Sequence, residues 1–237
     1  MSQDNAFDAR AHRPLLERHA WFAGLPEALK QTLLDAGRLR RLRAGEVLFR
    51  RGQPNCGLYA VLRGSVHVGS VTRSGRQNLV AVVPAPHWFG ELALIDGGPR
   101  THDTEAREAT ELLWVPLPDL VNLLTREPQH WQNFAALAVQ KLRAAFEELE
   151  DAALLGTQAR VAKRLLQLST GHGMLTAQAS LRTVALNQEE FAATLGLTRQ
   201  TVNEVLGLLA DQGFIAKGYG RVDILDAAGL KALSRPT

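Results

Sequence analysis

Two helical patterns meet at one glycine between Asn187 and Leu209, and this corner restricts the fold more than any other stretch of the chain. The segment Asn187-Gln188-Glu189-Glu190-Phe191-Ala192-Ala193-Thr194-Leu195 runs into Gly196, and Thr198-Arg199-Gln200-Thr201-Val202-Asn203-Glu204-Val205-Leu206 follows. Asn187 fits a helix N-cap, with Glu190 three residues on as in a capping box. Gly196 fits the left-handed residue that ends the first helix, and Thr198 fits the cap of the second. The pattern predicts helix, tight turn, helix.

Along the second helix Val202, Val205, Leu206 and Leu209 recur at helical spacing and mark a core face. Arg199, Gln200, Asn203 and Glu204 then face outward, and their chemistry matches base edges in a DNA major groove. Arginine donates twice to guanine, glutamine or asparagine pairs with adenine, and glutamate accepts from the cytosine amino group. Thr201 suits a phosphate or a thymine methyl, and Thr198 lies at the same helix start. Downstream, Phe214-Ile215-Ala216-Lys217 and Arg221-Val222-Asp223-Ile224-Leu225 flank Gly218-Tyr219-Gly220, which predicts a hairpin wing. Lys217 and Arg221 near its tip are expected to touch phosphates.

Charge supports the same half of the chain. From Leu155 to Thr237 there are nine Lys/Arg against six Asp/Glu, and this +3 is the whole formal net charge of the protein. The single cysteine, Cys56, leaves no CxxC or clustered thiols, so neither a disulfide nor a metal cluster is expected. No phosphate loop with Lys-Ser/Thr, no HExxH and no dinucleotide fingerprint occurs, so no catalytic residues are expected. Residues Met1 to Arg13 are polar and charged, and no apolar run approaches a membrane span. A cytoplasmic protein with no membrane partner is the expectation.

Between Leu39 and about Pro118 the pattern shifts to short apolar stretches: Glu46-Val47-Leu48-Phe49, Gly57 to Leu62, Ser65-Val66-His67-Val68 and Leu79 to Val83. Gly45, Gly52, Gly57, Gly64, Gly75 and Gly90 punctuate them. Many short strands at this spacing predict a compact β-roll. Before it, Leu15 to Ala36 reads as helical, with Trp21 and Phe22 docking on the roll. A long helix is expected from near Glu127 to about Leu155. Along it Ala135, Ala138, Leu142, Ala145, Leu149 and Ala152 are spaced three and four apart alternately, as in a coiled-coil seam. Either two copies meet along this seam or it packs on its own roll; a reader of two half-sites favours the homodimer. Phe134, Leu137 and Phe146 are expected to contact the roll. The division is thus 1–126 for the N-terminal helix and roll, 127–155 for the dimerisation helix and 156–237 for the winged helix-turn-helix.

This order of elements, an α+β fold, resembles the CRP/FNR family (cyclic-AMP receptor protein and fumarate and nitrate reduction regulator). The most specific motif is Phe89-Gly90-Glu91-Leu92-Ala93-Leu94-Ile95-Asp96-Gly97-Gly98-Pro99-Arg100-Thr101, which looks like the phosphate-binding cassette of a cyclic nucleotide-binding domain. Arg160-Val161-Ala162-Lys163-Arg164-Leu165-Leu166 agrees with the start of that family's DNA-binding domain. The resemblance implies that Glu91 meets a ribose hydroxyl, that Arg100 and Thr101 hold a cyclic phosphate, and that backbone N–H groups near Gly90 and Leu92 complete the pocket. It implies a homodimeric transcriptional regulator of a palindromic double-stranded operator. It also implies RNA polymerase as a partner and an effector such as cyclic AMP (cAMP).

Three departures qualify this. His102-Asp103-Thr104-Glu105 sets carboxylates beside the expected phosphate, where like charge weakens anion binding. Ala145 and Phe146 stand where cyclic-AMP responders present hydroxyls to the base. Arg199-Gln200 and Glu204 replace the arginine, glutamate and second arginine of the receptor protein's reading helix, so a different operator is expected. Two alternatives stay open: a constitutive DNA binder whose Arg100 pairs with Glu91 or another carboxylate, and an enzyme acting on a phosphate-bearing substrate.

Overall fold

The computed structural model describes residues 7–71, 77–169 and 183–235, so Gly75 lies outside the described residues. The chain divides into two compact units, Met1–Lys141 and Leu142–Thr237.

The first unit contains strands β1 (Arg38–Leu42), β2 (Val47–Phe49), β3 (Gly57–Arg63), β4 (Ser65–Val71), β5 (Gln77–Pro84), β6 (His87–Phe89), β7 (Asp103–Ala106) and β8 (Thr110–Pro116). They pair antiparallel in two four-stranded sheets, β1-β8-β3-β6 and β2-β7-β4-β5. The central strand β3 explains how the layers cohere, because successive side chains on a strand point to opposite faces. Leu58, Ala60 and Leu62 join a core with Leu16, Phe22, Leu29, Leu113, Phe134 and Leu137 of the helices and β8. Tyr59 and Val61 join a second core inside the roll, with Phe49, Val66, Phe89 and Leu112. A strand buried on both faces reads as an unbroken apolar run, which is how Gly57 to Leu62 looks in the sequence.

The stretch from Leu15 to Ala36 that reads as helical holds three helices, Arg13–Leu16, Ala20–Ala23 and Glu27–Asp35. Pro26 forces the break before the third: it stands at ψ 143°, and a proline disfavours helical geometry in the residue before it. Trp21 and Phe22 do dock as expected. The Phe22 ring stacks on Trp88 with centroids 5.3 Å apart, and Trp21 Nε1 donates to the Asn133 carbonyl.

The long helix runs Trp131–Leu154, preceded by a 3₁₀ turn at Pro128–His130. Phe134 and Leu137 are buried in the helix-facing core of the first unit. Phe146, expected to contact the roll, is 55% exposed. It lies nine residues beyond Leu137, about half a turn round the helix, so one face cannot hold both. Val139, Leu142 and Leu149 are exposed with it.

In the second unit, strands β9 (Thr183–Ala185), β10 (Ile215–Gly218) and β11 (Arg221–Ile224) form a sheet in the order β10-β11-β9. Helices Thr157–Ser169, Gln188–Leu195, Arg199–Asp211 and Ala227–Leu233 share one core with it, including Val161, Leu165, Phe191, Leu206, Leu209, Ile215 and Leu230. Strand β9 was not anticipated, and the wing is therefore the outer hairpin of a three-stranded sheet. No helix among the described residues is long and apolar enough to cross a membrane.

Candidate functional site

The cassette is built where β6 gives way to the helix Glu91–Asp96. Gly90 takes φ 99°, and a Cβ there would lie 2.8 Å from Arg100 Nη1 and 3.0 Å from the Gly57 carbonyl oxygen. A glycine is therefore needed for Arg100 to fold inward. Arg100 is only 3% exposed. Its Nη1 donates to the Gly90 carbonyl at 3.1 Å, and its Nη2 donates to the Gly57 carbonyl at 2.7 Å and to Cys56 Sγ at 3.2 Å. The guanidinium carbon sits 4.3 Å from the Phe49 ring centroid and 5.7 Å from that of Tyr59, within cation–π range. Nε has no partner among the described residues.

Arg100 does not pair with Glu91. The Glu91 carboxylate, buried to the same degree, accepts instead from Lys141 Nζ at 2.7 Å, and Lys141 also donates to the Trp88 carbonyl at 2.9 Å. Leu92 and Thr101 are exposed, with Thr101 Oγ1 3.0 Å from His102 Nδ1. Gly90, Glu91 and Arg100 are thus brought together, while Leu92 and Thr101 form the outer rim.

The acidic residues after Thr101 fall on the far face of their strand. Thr104 and Ala106 are buried, and Ala106 belongs to the roll core, so Asp103 and Glu105 point the other way. Asp103 accepts from the Arg51 backbone N–H at 2.8 Å and lies 3.9 Å from Arg50 Nη1. The His102 imidazole is held below its ordinary range by burial and then by Arg51, against an opposing pull from Asp103.

In the second unit the Asn187 side chain accepts from the N–H groups of Glu189 and Glu190 at 3.0 and 3.3 Å. Gly196 takes φ 65°, ψ 28°, and Thr198 Oγ1 accepts from the Thr201 N–H at 3.1 Å. Val202, Val205, Leu206 and Leu209 are buried, as the spacing predicts. Arg199, Gln200 and Glu204 are exposed, and Thr201 and Asn203 are half-buried. Gln200 Nε2 donates to Glu204 Oε1 at 2.9 Å, an i,i+4 bond that holds the two polar heads side by side. Lys217 and Arg221 are exposed near the turn of the β10–β11 hairpin.

Two supporting contacts were missed from the sequence. Arg160 donates to the Leu195 carbonyl, satisfying the end of the first helix at the corner, and Lys141 holds Glu91. Their partners lie 35 and 50 residues away, and no local spacing announces them. Among the described residues no group of three or more His, Cys, Asp or Glu side chains is placed to hold a metal ion.

A β-roll carrying a phosphate-type cassette, a long helix and a winged helix-turn-helix defines a DNA-binding transcriptional regulator. Comparison with known proteins makes this specific. The cyclic nucleotide-binding domain matches residues 39–127 and the Crp-like helix-turn-helix domain matches residues 159–233. The chain is 30% identical over 191 residues to a CRP-like cAMP-activated global transcriptional regulator of Mycobacterium tuberculosis, covering 81% of this chain and 85% of that protein. It is 33% identical to the cyclic AMP receptor protein of Thermus thermophilus, covering 80% and 85%. A solved CRP/FNR-family regulator from Thermus thermophilus superposes with TM-score 0.64 at 31% identity, over 83% of this chain and 98% of that one. FixK2 of Bradyrhizobium japonicum gives TM-score 0.72 over 85% and 98%, at 23% identity, and so bears on the fold alone. The chain belongs to the CRP/FNR family of transcriptional regulators.

Proposed function

We propose that this protein is a homodimeric regulator of a palindromic operator whose DNA affinity is set by a small phosphate-bearing effector in the β-roll. Thr198, Arg199, Gln200, Thr201, Asn203 and Glu204 would read the major groove, with Lys217 and Arg221 on phosphates. Gly90, Glu91, Leu92, Arg100 and Thr101 would hold the effector. The observation that carries this reading is Arg100: a buried guanidinium faces two carbonyls and two rings, and no carboxylate among the described residues pairs with it. A buried charge left without a counter-charge is costly, and an anion at this point offsets that cost. Asp103 and Glu105, turned away on β7, do not oppose it.

The exposed stripe of Val139, Leu142, Phe146 and Leu149 supports a second copy along the helix, beside the seam of Ala135, Ala138, Ala145 and Ala152. Large apolar side chains in a row gain stability when removed from water, roughly 25 cal/mol per Å². The 127–155 segment would then be the dimerisation helix between the roll, 1–126, and the DNA-binding part, 156–237. Occupancy of the roll would favour one dimer geometry by population shift, and RNA polymerase would be the partner on DNA. Because Ala145 and Phe146 carry no hydroxyl, cAMP is one effector among others, with cyclic GMP and cyclic dinucleotides open. The relatives named above as cAMP-activated and as a cyclic AMP receptor support this class of ligand.

Isothermal titration against that panel tests the effector. Heat with one nucleotide, lost in Arg100→Leu, is the expected result; no heat with any member removes the nucleotide from the proposal. A second reading, constitutive DNA binding with an unused pocket, draws on the Lys141–Glu91 pair, which already occupies the carboxylate expected to meet a ribose. It predicts the same DNA affinity with and without the panel.

For DNA, selection of bound sequences from a random duplex library is expected to return a palindrome. Arg199→Ala is expected to weaken binding by about 1–3 kcal/mol and to relax one base position. Equal loss on every sequence would make Arg199 a phosphate contact instead.

A further inference from the structure

Tyr219 stands at the turn of the β10–β11 hairpin, fully exposed at 105% relative accessibility, between Gly218 and Gly220. Gly220 takes φ 65°, and the turn is tight at Gly218, where a Cβ would lie 2.9 Å from Arg221 Cγ. The Arg221 side chain therefore lies across Gly218. Lys217 folds the other way, its Nζ 3.9 Å from where a Cβ on Gly207 of the Arg199–Asp211 helix would stand. The nearest carboxylate, Asp223, is 3.9 Å from Arg221 Nε and is already engaged by the Thr183 hydroxyl. The hairpin thus presents an aromatic ring at its tip and an exposed cation on each of its strands, Lys217 and Arg221, on the same unit as the exposed polar row of Arg199, Gln200 and Glu204. Among the described residues Tyr219 has no hydrogen-bond, ring or ion-pair partner, so the ring stabilises nothing within the chain.

We propose that Tyr219 enters the DNA minor groove beside the half-site read by the Arg199–Asp211 helix. Its ring packs on deoxyribose, and its hydroxyl donates to adenine N3 or thymine O2. The inference rests on the DNA-binding reading above. A cationic hairpin with an aromatic tip suits a negatively charged groove, and the guanine amino group obstructs this approach, so the contact favours A·T pairs. Tyr219 would then set a flanking preference that the reading helix does not supply.

The test uses the full-length protein on the operator obtained by selection, comparing wild type, Tyr219→Ala, Tyr219→Phe and Arg199→Ala. Tyr219→Ala is expected to bind roughly tenfold more weakly and to lose its preference for A·T pairs in the flank. The slope of log affinity against log salt is expected to stay unchanged, because no charge is removed; Lys217→Ala lowers it by about one. Tyr219→Phe keeps most of the affinity and loses the flanking preference. If Tyr219→Ala binds within twofold of wild type with the same flanks while Arg199→Ala is impaired, the inference is overturned and the DNA-binding reading stands. If wild type selects no sequence, the DNA-binding reading fails and takes the inference with it.

Discussion

Gly57→Ala is expected to lower stability by roughly 3–5 kcal/mol, the sum of strained backbone and an overpacked contact. Gly57 has φ 133°, and a Cβ there would stand 2.1 Å from the Val115 carbonyl oxygen, 2.8 Å from Trp114 Nε1 and 3.0 Å from the Leu117 nitrogen. Two of these are backbone atoms of β8 and the helix that follows, so they cannot rotate aside. The third is fixed by its own hydrogen bond, since Trp114 Nε1 donates to the Cys56 carbonyl at 2.8 Å. Relief of the clash must move β3 against β8, and this moves the Gly57 carbonyl that accepts from Arg100 at 2.7 Å. Effector binding, where present, should therefore fall together with stability. Gly45→Ala and Gly52→Ala make the comparison sharp: both glycines have positive φ, at 77° and 85°, but nothing lies within 4 Å of a Cβ at either. They should lose only about 1–2 kcal/mol, for the left-handed backbone. Urea denaturation of the three variants decides it. A Gly57→Ala loss no larger than the other two would mean that the crowding at β8 relaxes freely.

The same distinction between local and distant causes decides what was legible in the sequence. The helix-turn-helix was readable because its determinants lie within one short stretch: the Asn187 and Thr198 caps, the left-handed Gly196 and the Val202–Leu209 face each act within a few residues. The wing was readable for the same reason. The cassette was located by resemblance, but its wiring was not visible. Nothing in the sequence says that Glu91 goes to Lys141 while Arg100 goes to the carbonyls of Gly57 and Gly90, because fold topology selects those partners. The direction of Asp103 and Glu105 depended on which face of β7 is inside, a matter of register with β4 that a one-residue slip would reverse. Phe146 was misplaced because spacing gives a face only once the phase of the helix is fixed by Phe134 and Leu137. Strand β9, three residues long, exists because β11 offers it an edge; so short a stretch has no periodicity to detect.

The first unit also carries an acid-sensitive pair of histidines, and lowering the pH from 7.5 to 5.0 is expected to reduce stability by about 2 kcal/mol through His19, with His87 acting in the same direction. His19 is fully buried, and neither ring nitrogen has a hydrogen-bond partner among the described residues. The His87 ring meets it edge-on with centroids 5.0 Å apart, and its Nδ1 is likewise without a partner. Lys141, fixed by Glu91 and the Trp88 carbonyl, faces both imidazoles with positive charge. Burial first and Lys141 second push His19 from 6.5 down to about 4. Burial, Lys141 and then His19 push His87 well below its ordinary value. In the unfolded chain both groups protonate near pH 6.5, so below that pH, and for His19 down to about 4, the unfolded state holds more protons than the folded one. Stability therefore falls as pH falls through this window and is unaffected above about pH 7.5. The Arg10–Asp35 and Arg13–Glu27 pairs work at lower pH: their carboxylates are held below the usual range, so that contribution is lost only on further acidification. Urea unfolding of wild type and His19→Leu at both pH values separates the causes, since the variant should lose less stability on acidification than wild type. Equal wild-type stability at pH 7.5 and 5.0 would mean that the imidazoles accept protons in the folded state, and that the buried pair is hydrated well enough to carry charge.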